Sequence, residues 1–215
     1  MWDPHGAHAE FAIAPSSTTF NLPPNISFEE GSTIPLAGMT AALALFQQLG
    51  IPLPWNPVPR GSKFPVLIYG GASAVGSFAL KLAKLSNCNP IITIAGKGTQ
   101  FVESLNAADI IVDYRSGNVA EKVKAALQGQ ELLHAFDAIC AHDSWKHILE
   151  VVPHHGRAKL TMVDPPHGQS TWPPKEMEGV QYSRTFVSSA YGRPYAERSA
   201  EDALLDGDFA FIFYR

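Results

Sequence analysis

Short apolar runs alternate with segments of helical periodicity through the middle of the chain. The apolar runs predict six strands, at residues 64–69, 91–95, 109–113, 135–140, 157–163 and 184–188. The periodic segments predict four helices, at residues 75–85, 99–107, 119–127 and 145–152. Nearly continuous apolar strands that alternate with helices are typical of a parallel sheet covered on both faces. The pattern therefore predicts an α/β fold with a doubly wound, six-stranded parallel sheet.

Two of the predicted helices begin at polar residues that are typical N-caps. Thr99 is the expected cap of the second helix, on which Phe101 and Val102 are expected to face the core. Asp143 or Ser144 is the expected cap of the fourth helix. These assignments give the polar residues at both helix starts a structural role.

The distribution of proline supports a regular core in the same region. Of the 17 prolines, only Pro90 lies within residues 66–152, and the others lie on either side of that window. Proline interrupts helix interiors and central strands. We therefore expect regular structure between residues 66 and 152, with irregular connections before and after it.

Composition and charge exclude several classes of protein. The net charge is −4 and the pI is about 6.0, so the chain lacks the basic surface that a nucleic acid would require. A hydrophobic content of 46% suffices for a core and argues against disorder. No apolar run is long enough for a membrane span, and the first residues do not resemble a signal peptide. Two cysteines without a CxxC motif indicate a reducing, cytoplasmic setting.

A glycine-rich segment, residues 70–76, lies between the first predicted strand and the first predicted helix. A turn of this kind holds the pyrophosphate of a dinucleotide at the helix N-terminus. Against the GxGxxG template, Gly71 and Gly76 match, and Ser73 replaces the middle glycine. An ordinary strand-to-helix turn is the alternative. Val75 stands where a G-x-S-x-G nucleophile elbow needs glycine, so Ser73 is a poor candidate for a nucleophile.

The residues after the second predicted strand indicate which dinucleotide would bind. An NAD site places Asp or Glu at this point to hold the ribose 2′-hydroxyl. Here residues 95–98 are Ala-Gly-Lys-Gly, and the first acid is Glu103. A small residue followed by Lys97 leaves room and positive charge for a 2′-phosphate, and Tyr114 and Arg115 are expected beside it. The pattern favours NADP, with the alternative that Lys97 is an ordinary solvated lysine.

Five stretches follow one another in an order that is typical of one enzyme superfamily: residues 8–15 (HAEFAIAP), 22–31 (LPPNISFEEG), 36–43 (LAGMTAAL), 71–83 and 113–115 (DYR). Together they resemble the medium-chain dehydrogenase/reductase superfamily. More narrowly, they are similar to its zinc-free quinone-oxidoreductase-like branch and to the fungal trans-acting enoyl reductases of polyketide pathways. The resemblance covers about residues 8–215.

The resemblance implies an oxidoreductase of secondary metabolism that reduces a conjugated double bond, of enoyl or quinone type, with NADPH. Hydride would pass from the nicotinamide to the β-carbon of the substrate. The substrate would be a small molecule or a carrier-bound acyl group, and a polyketide synthase is an implied partner. No catalytic residue is assigned. The eight histidines include no pair at the spacing of a helical zinc site, and no metal site is predicted.

The resemblance also implies a set of cofactor-binding residues. Backbone N–H groups of the glycine-rich segment would face the pyrophosphate, two residues would hold the 2′-phosphate, and others would line the ribose, the nicotinamide and the cleft. In that order the residues are Gly71, Ser73, Ala74, Val75 and Gly76; Lys97 and Tyr114; Cys140 and His142; Met162 and Val163; and Thr40.

Relatives of this kind carry a GroES-like catalytic domain before the cofactor domain, and this chain is expected to contain only part of it. The resemblance divides the chain into a catalytic-domain remnant and linker (1–30), an NADP-binding Rossmann domain (31–190) and a truncated C-terminal segment (191–215). Three alternatives stay open: a reductase that takes substrate contacts from a partner or from a second subunit of a homo-oligomer; a degenerate member that binds nucleotide weakly or not at all and has a non-catalytic role; and a dehydratase- or cyclase-like role in a biosynthetic pathway.

Overall fold

Six parallel strands form one sheet in the part of the chain that the computed structural model describes, which comprises residues 19–141, 143–163, 173–187 and 189. The strands are β1 (Val66–Tyr69), β2 (Ile91–Ala95), β3 (Ile110–Asp113), β4 (His134–Asp137), β5 (Lys159–Met162) and β6 (Gln181–Arg184). Their order across the sheet is β3-β2-β1-β4-β5-β6, and every neighbouring pair is parallel. This order confirms the predicted doubly wound fold, because the chain starts in the middle of the sheet and winds outward in both directions.

Six α-helices accompany the sheet in the described residues: α1 (Phe28–Ser32), α2 (Ile34–Ala42), α3 (Ala74–Leu85), α4 (Thr99–Ser104), α5 (Val119–Leu127) and α6 (Ser144–Leu149). A π-helical turn continues α2, and short 3-10 turns follow β3 and precede β6. The sheet lies in a compact unit of residues 36–187, and α1 belongs to another unit of the chain. In the ranges described, no helix is both long and apolar enough to cross a membrane.

Side chains on alternate positions of the strands enter two cores, one on each face of the sheet. On one face, Leu67 packs with residues of α5 and α6 such as Val123 and Ile148. On the other face, Ile68 packs with residues of α3 such as Leu80. Burial of such a side chain contributes about 1.5–3 kcal/mol. Because both faces are covered, the central strands are apolar at successive positions, which is the pattern that predicted the fold.

Five of the six predicted strands differ from the structure in their bounds, and β4 and β6 deviate by three residues or more. β4 ends at Asp137 instead of residue 140, because the Asp137 carboxylate accepts hydrogen bonds from the N–H groups of Ile139 and Cys140 and turns the chain. β6 occupies Gln181–Arg184 instead of residues 184–188. Like β3, it is an edge strand of the sheet in the described residues, and it is half exposed, so polar residues are tolerated there and the apolar pattern does not mark it.

Two predictions about α4 are also wrong. Phe101 is 48% exposed, whereas Val102 is buried as expected. The helix has six residues, so a single turn faces the core and only part of the predicted stripe can reach it. The N-cap is Gly98, and Thr99 lies inside the first turn, where its hydroxyl donates to Gly96 O at 2.8 Å.

Neither candidate cap of α6 accepts a hydrogen bond from a backbone N–H group of the helix through its side chain. Asp143 is the N-cap residue by position, with a left-handed φ of 58°, but its carboxylate pairs with Lys146 Nζ at 2.9 Å and makes no cap hydrogen bond. Ser144 donates its hydroxyl to the Asp137 carboxylate. Asp143 is therefore the N-cap residue, as predicted, but without a side-chain cap hydrogen bond, and Ser144 links α6 to the end of β4.

Candidate cofactor-binding site

The loops that follow the strands meet at the carboxyl edge of the sheet, because all six strands are parallel. β1 and β4 are neighbours, yet α3 after β1 packs into one core and α6 after β4 packs into the other. The loops after β1 and β4 contact each other at this edge, since a Cβ on Gly70 would lie 2.2 Å from Cγ1 of Ile139, while the helices that follow them cover opposite faces. Ligands of doubly wound sheets bind at this point, outside the carboxyl ends of the strands from which the helices pass to opposite faces.

The turn between β1 and α3, called here the 70–76 turn, is held by hydrogen bonds at both ends. The N–H groups of Gly70 and Gly71 donate to Ile94 O at 2.8 Å and 3.2 Å. Ser73 is the N-cap of α3, and its Oγ accepts a hydrogen bond from Gly76 N–H at 3.0 Å. The N–H of Ser73 donates to Gly70 O at 2.9 Å. Ser73 thus shapes the turn through both its side chain and its backbone.

Gly71 and Gly76 stand where the protein leaves no room for a side chain. A Cβ on Gly76 would lie 2.1 Å from Gly70 O, so glycine lets α3 begin directly against the end of β1. A Cβ on Gly71 would lie 2.2 Å from Oγ1 of Thr93, which is buried and donates to Ile68 O at 2.7 Å. The turn is therefore an open backbone cradle at a helix N-terminus, and this geometry fits a phosphate group.

Tyr114 lies over Gly96, where the loops after β2 and β3 meet. A Cβ on Gly96 would lie 2.4 Å from Cε1 of the tyrosine ring, which is 49% exposed. Lys97 is exposed beside Gly96. The structure thus brings together the two residues predicted at the 2′-phosphate, and the acid of an NAD site would meet the Tyr114 ring at position 96 unless that ring moved.

Arg115 forms a bidentate ion pair with Asp113. Its Nε donates to Oδ1 at 2.9 Å, and its Nη2 donates to Oδ2 at 2.6 Å. Asp113 Oδ1 also accepts the Arg115 N–H at 2.9 Å. These hydrogen bonds lower the pKa of Asp113 to about 2. The guanidinium that was expected beside the 2′-phosphate is therefore already bound to a carboxylate.

Asp137, which is not among the predicted site residues, organises the loop after β4. The side chain is buried, its Oδ1 accepts the N–H groups of Ile139 and Cys140 at 3.0 Å and 2.9 Å, and its Oδ2 accepts the Ser144 hydroxyl. Burial raises the pKa of Asp137. Cys140 has a φ of 53°, and its Sγ donates to Asp137 O at 3.3 Å. An aspartate at the end of an apolar strand is the signal of such a turn.

A second missed pair joins β1 to α6. The Tyr69 hydroxyl and His147 Nδ1 share a hydrogen bond of 3.2 Å, and their rings stack with centroids 6.0 Å apart. Burial, followed by the charge of Asp137, raises the pKa of Tyr69 to about 12. Tyr69 directly precedes the 70–76 turn, so the pair ties the start of that turn to the helix after β4. The residues are far apart in sequence, and no local pattern could have paired them.

The remaining predicted site residues lie in several environments. Val163, after β5, donates its N–H to Asp137 O at 3.2 Å, whereas Met162 is fully buried in the core. Thr40 lies in α2, where its buried hydroxyl donates to Leu36 O at 2.7 Å within the same helix. His142 lies outside the described residues, as do most of the predicted catalytic-domain remnant and the predicted C-terminal segment.

A protein-family model described as zinc-binding dehydrogenase matches residues 74–205. The chain belongs to this family. It thereby belongs to the medium-chain dehydrogenase/reductase superfamily, as the resemblance of its sequence motifs indicated. The residues that the structure describes contain no group of three or more His, Cys, Asp or Glu side chains that could hold a metal ion.

Curated relatives of this zinc-binding dehydrogenase family member are trans-enoyl reductases. One from Gibberella fujikuroi is 40% identical over 193 residues, which are 87% of this chain and 56% of the relative. Another from Fusarium sp. is 35% identical over 161 residues, which are 74% of this chain and 44% of the relative. The chain therefore spans about half the length of the curated relatives that it matches.

Solved structures show the same fold. The CurK enoyl reductase is similar with a TM-score of 0.69 at 20% sequence identity, covering 91% of this chain and 54% of that one. The Escherichia coli quinone oxidoreductase complexed with NADPH is similar with a TM-score of 0.66 at 18% identity, covering 89% and 54%. At these identities, the likeness concerns the fold of this zinc-binding dehydrogenase family member and not its substrate.

Proposed function

We propose that the chain binds NADPH at the carboxyl edge of the sheet and serves the reduction of a conjugated double bond, of enoyl type, in fungal secondary metabolism. The observation that carries the cofactor assignment is the 70–76 turn, where glycine alone fits at position 76. The proposed reaction class is supported by the names of the curated relatives, which are trans-enoyl reductases. The substrate is a small molecule or a carrier-bound acyl group, and a polyketide synthase is the partner that would supply it.

The pyrophosphate would lie at the N-terminus of α3. The N–H groups of Ala74 and Val75 belong to the first turn and have no partner inside the helix, so they can donate to an anion. The dipole of this 12-residue helix favours negative charge at the same end. Ser73 supports these donors by capping the helix, and Gly76 brings the helix close to the strand.

The 2′-phosphate would lie at the ends of β2 and β3. Lys97 supplies a positive charge that the protein does not bury, and the exposed ring of Tyr114 covers Gly96. The ion pair with Asp113 occupies Arg115, so Lys97 is the cation that would contact the phosphate. Position 96 carries no acidic side chain that would repel the phosphate. These features favour NADPH over NADH.

The residues after β4 and β5 would orient the other half of the cofactor. The buried Asp137 fixes the backbone of Ile139 and Cys140, and Val163 is bound to the end of β4. The nicotinamide, when bound, supplies the hydride for the β-carbon of the enoyl group, whereas the protein supplies position and electrostatics. The domain boundaries, the cytoplasmic location, homo-oligomerisation and the role of Thr40 at the cleft stay predictions.

Titration of the purified chain with NADPH and NADH, followed by nicotinamide fluorescence, tests the cofactor assignment. We expect saturable binding of both, with NADPH the tighter ligand. Absence of binding of either cofactor at millimolar concentration would overturn the proposal. The reaction class is tested separately by the loss of NADPH absorbance with a short 2-enoyl pantetheine thioester, and the saturated thioester is the control. Equal rates with the two thioesters would contradict enoyl reduction.

A further inference from the structure

Two loops of the carboxyl edge approach each other at Ala72 and Gly98. Ala72 lies in the 70–76 turn, and Gly98 follows Lys97 after β2. A Cβ on Gly98 would lie 2.4 Å from Cβ of Ala72 and 3.8 Å from its Cα, and these are the neighbouring atoms within 4 Å of that position. The space at Gly98 is therefore limited by one residue, and that residue belongs to the proposed phosphate-binding turn.

The backbone of Gly98 does not itself require glycine. Its φ is −86° and its ψ is 11°, which L-residues adopt in turns. By contrast, Gly70 has a φ of 87°, where a side chain is strained whatever the surroundings. The constraint at position 98 is thus a steric one, set by the distance between two loops. A methyl group there would force one loop away from the other.

The loop that contains Gly98 is the one that would move. Ala72 is held between Gly71, whose N–H donates to Ile94 O, and Ser73, which caps α3. The loop after β2 leads into a six-residue helix, and Lys97 within it is exposed. Because Lys97 directly precedes Gly98, any displacement of this loop also moves the ammonium group away from the 70–76 turn.

We propose that the contact between Ala72 and Gly98 determines the preference for NADPH, by setting the gap between the pyrophosphate site and Lys97. This inference rests on the proposed function. The pyrophosphate and the 2′-phosphate belong to one molecule, so the ligand fixes the distance between its two anionic groups. NADPH must contact both loops at that distance, whereas NADH has no 2′-phosphate and does not use Lys97. Gly98 is a positioning residue that acts through Lys97.

The test is Gly98→Ala in the full chain, with dissociation constants of NADPH and NADH measured by nicotinamide fluorescence. We expect NADPH affinity to fall by about tenfold and NADH affinity by less than about twofold, because a charge-assisted contact is lost in one complex only. The double variant Ala72→Gly/Gly98→Ala removes the opposing methyl group and is expected to restore the preference. Gly129→Ala, where an added Cβ meets nothing within 4 Å, is the control outside the site and is expected to keep the preference of the unaltered chain.

Several outcomes would overturn the inference. The inference fails if Gly98→Ala keeps the preference for NADPH, or if it loses affinity for NADPH and NADH equally. It also fails if the double variant does not restore the preference. If Gly98→Ala does not fold, as judged by circular dichroism, Ala72→Val enlarges the other side of the contact and is expected to lower the preference likewise. An unaltered chain that binds neither cofactor overturns the proposed function as well. If the unaltered chain prefers NADPH and the variants keep that preference, this inference is overturned and the proposed function is not.

Discussion

The ring of Tyr114 occupies the space into which a side chain at Gly96 would extend, since a Cβ at position 96 would lie 2.4 Å from Cε1 of the ring. The end of β2 is where an acid selects NAD in many dinucleotide-binding sheets. Here a residue from the next loop fills that place. We therefore expect the choice between cofactors to depend on a contact between two loops as well as on a charge.

Introduction of an acid at position 96 is expected to fail as a switch to NADH unless Tyr114 is reduced in size. Gly96→Asp alone is expected to lose about 1–3 kcal/mol of unfolding free energy through overpacking, without tighter NADH binding. Gly96→Asp/Tyr114→Ala is expected to bind NADH more tightly than NADPH. Urea unfolding and fluorescence titration measure the two effects. Tighter NADH binding by the single variant at unchanged stability would contradict the steric argument.

Removal of the Lys97 charge is expected to affect one cofactor selectively. Lys97→Ala should weaken NADPH binding by about tenfold and NADH binding by less than about twofold, as the loss of one charge-assisted contact predicts. Lys124→Ala, which removes an exposed lysine from α5, is the matched control and is expected to change neither. Equal weakening of both cofactors by Lys97→Ala would remove the 2′-phosphate assignment.

Gly76→Ala is expected to unfold the turn or to displace α3. The added Cβ would lie 2.1 Å from Gly70 O, and a backbone oxygen held between β1 and α3 cannot rotate away. We expect a loss of about 3 kcal/mol in unfolding free energy, and no detectable cofactor binding in any folded fraction. Gly129→Ala is the control, because its φ of 82° is strained but nothing lies within 4 Å. It is expected to lose about 1–2 kcal/mol and to keep cofactor binding.

The buried carboxyl of Asp137 is expected to give the stability a measurable pH dependence. Burial raises its pKa in the folded protein above the value of about 3.9 in the unfolded chain. The folded state therefore binds the proton more tightly, and this contribution to stability is complete below the unfolded pKa and lost as the pH rises through the folded pKa. Asp137→Asn keeps the acceptor for Ile139 and Cys140 and cannot ionise.

The measurement is the free energy of urea unfolding of both proteins between pH 4 and pH 7, a range that begins near the unfolded pKa. As the pH rises, the unfolding free energy of Asp137→Asn is expected to increase relative to that of the unaltered chain. Asp137→Ala leaves two N–H groups without an acceptor and is expected to lose about 1–3 kcal/mol at every pH. A constant difference between Asn and Asp across the range would show that burial does not perturb this carboxyl.

Local patterns predicted the elements whose apolar residues are the ones that the structure buries. β2 and α5 were predicted with the bounds that the structure gives them, because β2 is a β-branched run that stops at Gly96 and α5 has a complete apolar stripe. β6 was placed wrongly because an exposed edge strand needs no apolar pattern. Phe101 was placed in the core because periodicity marks a helical face but not how much of a short helix is covered.

The same distinction between local patterns and distant contacts applies to the candidate site. The 70–76 turn could be predicted because its residues are contiguous, and their spacing reflects one local geometry. Asp137 was missed because its role appears only when the loop after β4 folds back on it. The contact of Gly98 with Ala72 joins two separate loops, so neither loop reveals it alone. Contacts between loops that follow different strands cannot be predicted from local sequence patterns.

The position of β1 in the middle of the sheet also has a consequence for how the protein folds. Val66 pairs with Ile91 on one side and with His134 on the other, so β1 is complete only after two loops of very different length have closed. Closing the longer loop loses more chain entropy and slows folding. The 70–76 turn continues β1, so it acquires its final shape at that late stage. In refolding, recovery of NADPH binding is therefore expected to lag behind recovery of helical circular dichroism.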